Sequence, residues 1–346
     1  MKAKFNFLIL FFTIACFLTG SGAEKTKEYH ESWPVSEIQA LSLVNKFGEI
    51  KITNNGGSDV TIDVVVTVEA STENRVERLL EQIDVSIRKS GSTIIAETEI
   101  DNDFKSQRDF SIDYEVNIPS DRELDISNKF GNTFVNELNA RGTFDISYGN
   151  LTAVTLNDAS AEDLTISLGY GKATVERLGD AEIEIKYSKM NISEAGNLKV
   201  DSKYSVITVD QLESIDVDSK YDTFRFEEAG SVTADTKYTH LEMEELKKAL
   251  TVESGYGSIK VDEVSGEFEL IDVTNSYGAV SLGIGDDVTY DLKASCDYCD
   301  ISYNSADFTG NRMDENHTKK VEGKIGEGPS TAKVIVNSRY GGIKLR

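Results

Sequence analysis

Proline is almost missing from this 346-residue chain: Pro34, Pro119 and Pro329 are its only three. None falls between residues 120 and 328. A proline inside a sheet deletes a ladder hydrogen bond, so its absence leaves that stretch free to form stacked strands. Histidine and cysteine are as scarce, at three each. His30, His240 and His317 lie far apart in sequence, and no Ser/His/Asp set or metal-ligating cluster is suggested. Positive charge is short too. Against 60 acidic residues there are 36 basic ones, a net charge of −24, which repels phosphate backbones and argues against nucleic acid as a partner. Beyond the first residues there is no apolar run long enough to span a membrane.

Residues 1–23 read as a signal peptide. Lys2 and Lys4 form the positive start, residues 5–18 the apolar core, and Ser21-Gly22-Ala23 a small-residue cleavage site. Losing those two lysines would take the charge from −24 to −26. The expected location is the periplasm, the outer membrane surface or the extracellular space. Cys16 loosely matches a lipoprotein signal, but Phe17 and Leu18 continue the apolar run past it, and the preferred reading is a cysteine lost on cleavage.

What the chain has in abundance is one phrase. IEIKYSKMNI, VDSKYSVITV, VDSKYDTFRF, ADTKYTHLEM and VESGYGSIKV follow one another. Their tyrosines, Tyr187, Tyr204, Tyr221, Tyr238 and Tyr256, are spaced 17, 17, 17 and 18 residues apart. Phe47, Phe130, Tyr148 and Tyr170 head earlier copies; Tyr277, Tyr298 and Tyr340 head later ones. A short fixed period is the mark of a solenoid. The Val, Ile, Thr and Tyr content and the strict alternation favour strands over helical repeats.

With the tyrosine as position zero, positions −6, −4, −2 and 0 share one strand face, as in Leu198, Val200, Ser202 and Tyr204. Positions +3, +5 and +8 are apolar again, as in Ile207, Val209 and Leu212. The odd step from zero to +3 calls for a bend, and Gly149, Gly171, Gly257, Gly278 and Gly341 at +1 suit a positive φ there. The expected fold is all-β: a single-chain β-solenoid (β-helix) of about 17–22-residue coils with an N-terminal α+β cap. Residues 24–40 read as a lead-in. Residues 41–120 read as the first coil plus a cap or insert with one helix at 72–83, whose stripe is Val76, Leu79, Leu80 and Ile83. Residues 121–346 read as solenoid repeats, with a polar loop at 304–329 and a final coil at 332–345.

The repeated Ser/Asn-x-Tyr-Gly-x-Ile-x-Val phrase resembles that of the bacterial "putative adhesin" β-helix family, similar to autotransporter heads. So does the closing run Val334-x-Val336-x-Ser338-x-Tyr340-Gly341-x-Ile343-x-Leu345. The likeness covers residues 41–346. It implies a non-enzymatic envelope or surface protein and no catalytic residue. Ser188, Ser205, Asp222 and Thr239 depart from it by replacing the motif glycine.

Several columns of residues could carry function. The tyrosines Tyr187, Tyr204, Tyr221, Tyr238 and Tyr256 read as a structural core ladder with phenol oxygens at the rim, in preference to a strip for sugar rings. Glu184, Asp201, Asp218, Asp235 and Glu253 at −3 form a weak candidate Ca²⁺ face. Lys186, Lys203, Lys220 and Lys237 at −1 are the simpler explanation, each column screening the other. Cys296 and Cys299 occupy −2 and +1 of a coil, which suits a disulfide or two packed thiols better than a redox centre. No cofactor is implied. The functional expectation is an exported, non-enzymatic solenoid with a structural, adhesive or partner-binding role. The alternative is a glycan-binding or glycan-cleaving β-helix protein. The partner would be a protein or glycan of the envelope, with strand addition at the C-terminal coil as the expected mode.

Overall fold

The computed structural model describes residues 22–106, 109–156, 163–330 and 332–346. Most of the expected signal peptide, with Cys16, lies outside these. The chain is a β-solenoid, nearly all strand, with coils of about 18 residues. It divides into two compact units, at Met1–Glu162 and Asp163–Arg346.

The most regular coils lie in the second unit. Strands Lys189–Lys203, Val206–Lys220, Thr223–Lys237 and His240–Gly255 stack in parallel, in register one coil apart: Val200 beside Val217, Ile207 beside Phe224. Leu198, Val200, Ser202, Ser205, Ile207, Val209 and Leu212 are all buried. Tyr204 sits among them at 50% exposure, with φ of +55°.

That φ corrects two expectations. Simple alternation turned the tyrosine inward, and the following glycine was to supply the positive φ. Instead the aromatic residue itself takes the left-handed conformation in every copy from Phe47 to Tyr340. A left-handed residue bends the chain sharply, with its own side chain outside and the next residue back on the inside, as Tyr204 and Ser205 show. Positions +1, +3 and +5 then alternate as an ordinary strand. Glycine at +1 answers to space. A Cβ on Gly278 would lie 1.5 Å from the Gly257 carbonyl oxygen, and one on Gly257 1.8 Å from that of Thr239.

In the first unit, residues 24–40 are no lead-in. Ala23–Pro34 is a strand, antiparallel to Asp59–Ala70 along its whole length. Asp59–Ala70 pairs in turn with Phe110–Asn117, which lies parallel on Ile50–Thr53 and so on Thr133–Leu138. On the other face the hairpin Ile83–Ser90/Thr93–Ile100 covers Ala40–Lys46, which stacks on Glu123–Lys129 and through it on Gly142–Ser147. Both ladders at this end are therefore covered by antiparallel strands, which leaves no bare coil edge there. The helix is Glu73–Leu80; it buries Val76 and Leu79, while Ile83 begins the next strand.

At the far end of the second unit, order in space departs from order in sequence. Ala332–Arg339 lies between Leu270–Ser276 and Tyr290–Asp297, parallel to both, and Ile343–Leu345 lies between Val280–Ile284 and Ile301–Ser302. Val334, Val336, Ile343 and Leu345 are buried. The expectation of strand addition on this coil is overturned, because both its edges are already paired. The supposed loop at 304–329 is largely a hairpin, Phe308–Glu315 and Thr318–Ile325, laid antiparallel on Tyr290–Asp297.

Candidate interaction surface

Because each corner residue points outward at the same place on its coil, the rings line up. From Tyr170 the stack runs through Tyr187, Tyr204, Tyr221, Tyr238, Tyr256, Tyr277, Tyr340 and Tyr298, with centroids 4.6–5.1 Å apart. His317 in the hairpin turn continues it at 5.2 Å from Tyr298. In the first unit Phe47, Phe130 and Tyr148 stack in the same way, with Phe110 tilted against Phe47 at 5.0 Å. The tyrosines of the second unit's stack are 42–57% exposed. They are neither core, as expected, nor a strip of open ring faces. Each ring covers its neighbours' faces, so what solvent meets is a ridge of ring edges and phenol hydroxyls.

The +1 column runs just inside this ridge. The Gly171 N–H donates to Ser188 Oγ at 3.0 Å, and the Ser188 N–H to Ser205 Oγ at 3.3 Å. The Ser205 N–H donates to Asp222 Oδ1 at 2.6 Å, and the Asp222 N–H to Thr239 Oγ1 at 3.3 Å. These buried side chains tie one corner to the next. Sequence reading singled them out only as departures from a motif. The signal that could have placed them inside was the odd step from zero to +3. At −2, Asn128 Nδ2 donates to the Gly48 carbonyl, and Ser338 Oγ to that of Gly341. Cys296 and Cys299 fill the −2 and +1 positions of their own coil and are joined by a disulfide, with Cα atoms 5.4 Å apart.

Charge flanks the ridge. Lys186, Lys203, Lys220 and Lys237 lie in register from coil to coil, as do Glu184, Asp201, Asp218, Asp235 and Glu253. Lys186 pairs with Glu184 inside its own coil, and Lys203 stands 3.6 Å from Asp201. The Lys186 ammonium beside Glu184 holds that carboxyl below its ordinary value of 4.5. Lys129 lies over the Phe130 ring at 5.2 Å, and Arg339 over Tyr340 at 5.1 Å. Asp201, Asp216, Asp218, Asp235 and Glu253 line a shallow groove of about 450 Å³. Among the described residues no three acidic, His or Cys side chains converge closely enough to hold a metal ion. The histidines are not brought together: His30 pairs with Asp63, His240 with Ser258, and His317 caps the aromatic stack.

Searches against family models and against curated proteins find no match. Three solved structures show a distant likeness, each 11% identical. One is called a putative cell adhesion protein from Clostridium sporogenes; the match covers 93% of this chain and 99% of that one, with a TM-score of 0.21. A putative adhesin from Parabacteroides distasonis matches over 75% and 97%, with a TM-score of 0.33. A putative adhesin from Bacteroides fragilis matches over 92% and 97%, with a TM-score of 0.23. Similarity this low decides nothing about individual residues, and the functional reading rests on the chain's own geometry.

Proposed function

We propose that this chain is an exported, non-enzymatic adhesive protein of the bacterial cell envelope, and that the aromatic ridge of its second unit is its contact surface. The observation that carries the reading is the exposed stack from Tyr170 to His317, with lysines repeating beside it at the same pitch. A surface this regular suits a partner that is itself extended and repeating, such as a linear glycan or a strand-rich protein. Its rings are held by their neighbours before any ligand arrives, so little side-chain freedom is lost on binding. Tyrosine offers an apolar edge and a hydroxyl together. Contacts repeated along one axis add as linked weak sites. Export is supported by the charged and apolar start of the sequence and by the Cys296–Cys299 disulfide, a bond typical of oxidising compartments.

The test is a glycan array and a pull-down with the mature chain, repeated with Tyr204→Phe, Tyr221→Phe and Tyr238→Phe combined. That variant keeps the stack and removes three hydroxyls. Binding should weaken at least tenfold. A ligand held equally well by both proteins rules out the ridge.

A further inference from the structure

The outermost strand at the far end of the second unit is Phe308–Glu315. Beyond Ala332–Arg339 come Tyr290–Asp297, then Thr318–Ile325, then this strand, which among the described residues is paired on one side only. Thr309 to Asn316 are exposed. Which backbone groups face outward follows from two hydrogen bonds. The Gly326 N–H donates to the Asp307 carbonyl, and the Tyr298 N–H to the His317 carbonyl. Antiparallel strands alternate the direction of their backbone groups. Thr309, Asn311, Met313 and Glu315 therefore face their own hairpin, and Phe308, Gly310, Arg312 and Asp314 present free N–H and C=O groups.

We infer that this edge pairs antiparallel with the same edge of a second copy, about a two-fold axis through Met313. Outward groups must meet outward groups, so the axis has to pass through a residue. An axis through Arg312 sets two like charges opposite each other. One through Asn311 sets the Phe308 ring against Asp314. Through Met313, Arg312 faces Asp314 of the second copy twice, Asn311 faces Glu315 twice, and the two methionines meet at the centre. Opposite charges directly across a strand pair stabilise it and like charges oppose it. Charged edge residues normally keep foreign strands away. Here their order is complementary to its own antiparallel image, so the edge rejects most strands and admits a copy of itself. The side chains are already placed. The Arg312 guanidinium lies over the Phe308 and Tyr303 rings at 4.9 and 5.4 Å, and Asp314 stands 3.6 Å from Lys319 on the same face. This inference concerns the end of the second unit, not the aromatic ridge, and stands or falls apart from the ligand reading.

The experiment is light scattering on the full chain and its variants Arg312→Asp, Asp314→Arg and the two combined. The unaltered chain should have twice the monomer mass, each single variant the monomer mass, and the double variant twice the monomer mass again. A monomeric unaltered chain, a dimeric single variant or a double variant that stays monomeric overturns the inference. Arg312→Pro separates pairing from folding, because it removes an outward N–H and none that serves the hairpin. It should be monomeric with an unchanged far-UV spectrum. In a Cys16→Ser chain, Met313→Cys should give a disulfide-linked dimer on a non-reducing gel and Asn311→Cys should not; the reverse pattern overturns the register.

Discussion

Ser205 donates its backbone N–H to the Asp222 carboxylate one coil on, at 2.6 Å. The same carboxylate accepts from Ser202 Oγ and Ser219 Oγ, each at 2.7 Å, and from the Lys220 N–H at 3.0 Å. Asp222 is only 3% exposed, and its carboxylate is held by donors drawn from two successive phrases, its own and the one before. Asp222→Ala strands those donors, and each buried orphan costs roughly 1–3 kcal/mol. The variant should lose at least ~2 kcal/mol in urea unfolding with an unchanged slope. Asp222→Asn, which keeps an acceptor oxygen, should lose less.

The corner tyrosines carry strain and relief together. Tyr204 holds a positive φ and stacks on Tyr187 and Tyr221 at 4.9 Å each. Tyr204→Phe should change stability by less than ~0.5 kcal/mol, since the ring remains and the hydroxyl faces solvent. Tyr204→Ala loses two ring contacts worth about 0.5–1.5 kcal/mol each and keeps a left-handed residue with a Cβ. Tyr204→Gly loses the same contacts but is free of that strain, so it should melt higher than the alanine variant. The reverse order would mean that the corner does not hold residue 204 in a strained left-handed conformation.

Much of this was legible in the sequence, for a reason that also marks where reading stopped. Burial alternates along a strand, so Leu198, Val200 and Ser202, and then Ile207 and Val209, could be placed inside from their spacing alone. The corner could not be placed, because large aromatic residues are rare at positive φ and glycine beside them was the easier candidate. Asp222 stood out only as a replacement of the motif glycine, because acidic side chains are seldom buried and its type did not point inward. The pairing of Val334 between Ile271 and Leu292 was out of reach for another reason. Every coil carries the same inward pattern, so nothing in the pattern says which coil stacks on which.

Cys296 and Cys299 stand where other coils hold Ser219 with Asp222, Ser338 with Gly341, and Asn275 with Gly278. In those coils the first residue reaches across the corner through a hydrogen bond. Cys296→Ser with Cys299→Gly should therefore fold, with a melting temperature within about 3 °C of the parent, a shift of roughly 1 kcal/mol. Failure to fold would show that the covalent link is needed where elsewhere a hydrogen bond suffices.

The charged columns predict a salt dependence. Lys203→Glu combined with Lys220→Glu places new carboxylates beside Asp201 and Asp218. The melting temperature should fall at low salt and largely recover at about 1 M, where charges are screened beyond ~3 Å. Millimolar Ca²⁺ should leave the unaltered protein's melting temperature unchanged. Acid should act in the same region. Glu184 has its pKa lowered by Lys186, so its contribution is present above its ordinary value of 4.5 and is lost as pH falls through the lower folded value. Lys186→Met should flatten stability against pH in that window.

The inserted C-terminal coil turns one mutation into a test of the topology. The Ile343 N–H donates to the Asp300 carbonyl at 2.9 Å, and the Arg346 N–H to that of Leu282 at 3.0 Å, so this strand is tied to both neighbours. Were the coil an open edge, proline at Ile343 would change association alone. In a coil paired on both sides it removes a bond the fold uses and a buried side chain with it. Ile343→Pro should cost about 3 kcal/mol or more. Residues 290–302 should lose amide protection first, because their parallel neighbour is the coil that proline loosens. Val336→Asp should have a similar effect by burying an unpaired charge between coils, and so should Val217→Asp in the regular run. If Ile343→Pro leaves stability and exchange unchanged, the final coil does not lie between its two neighbours.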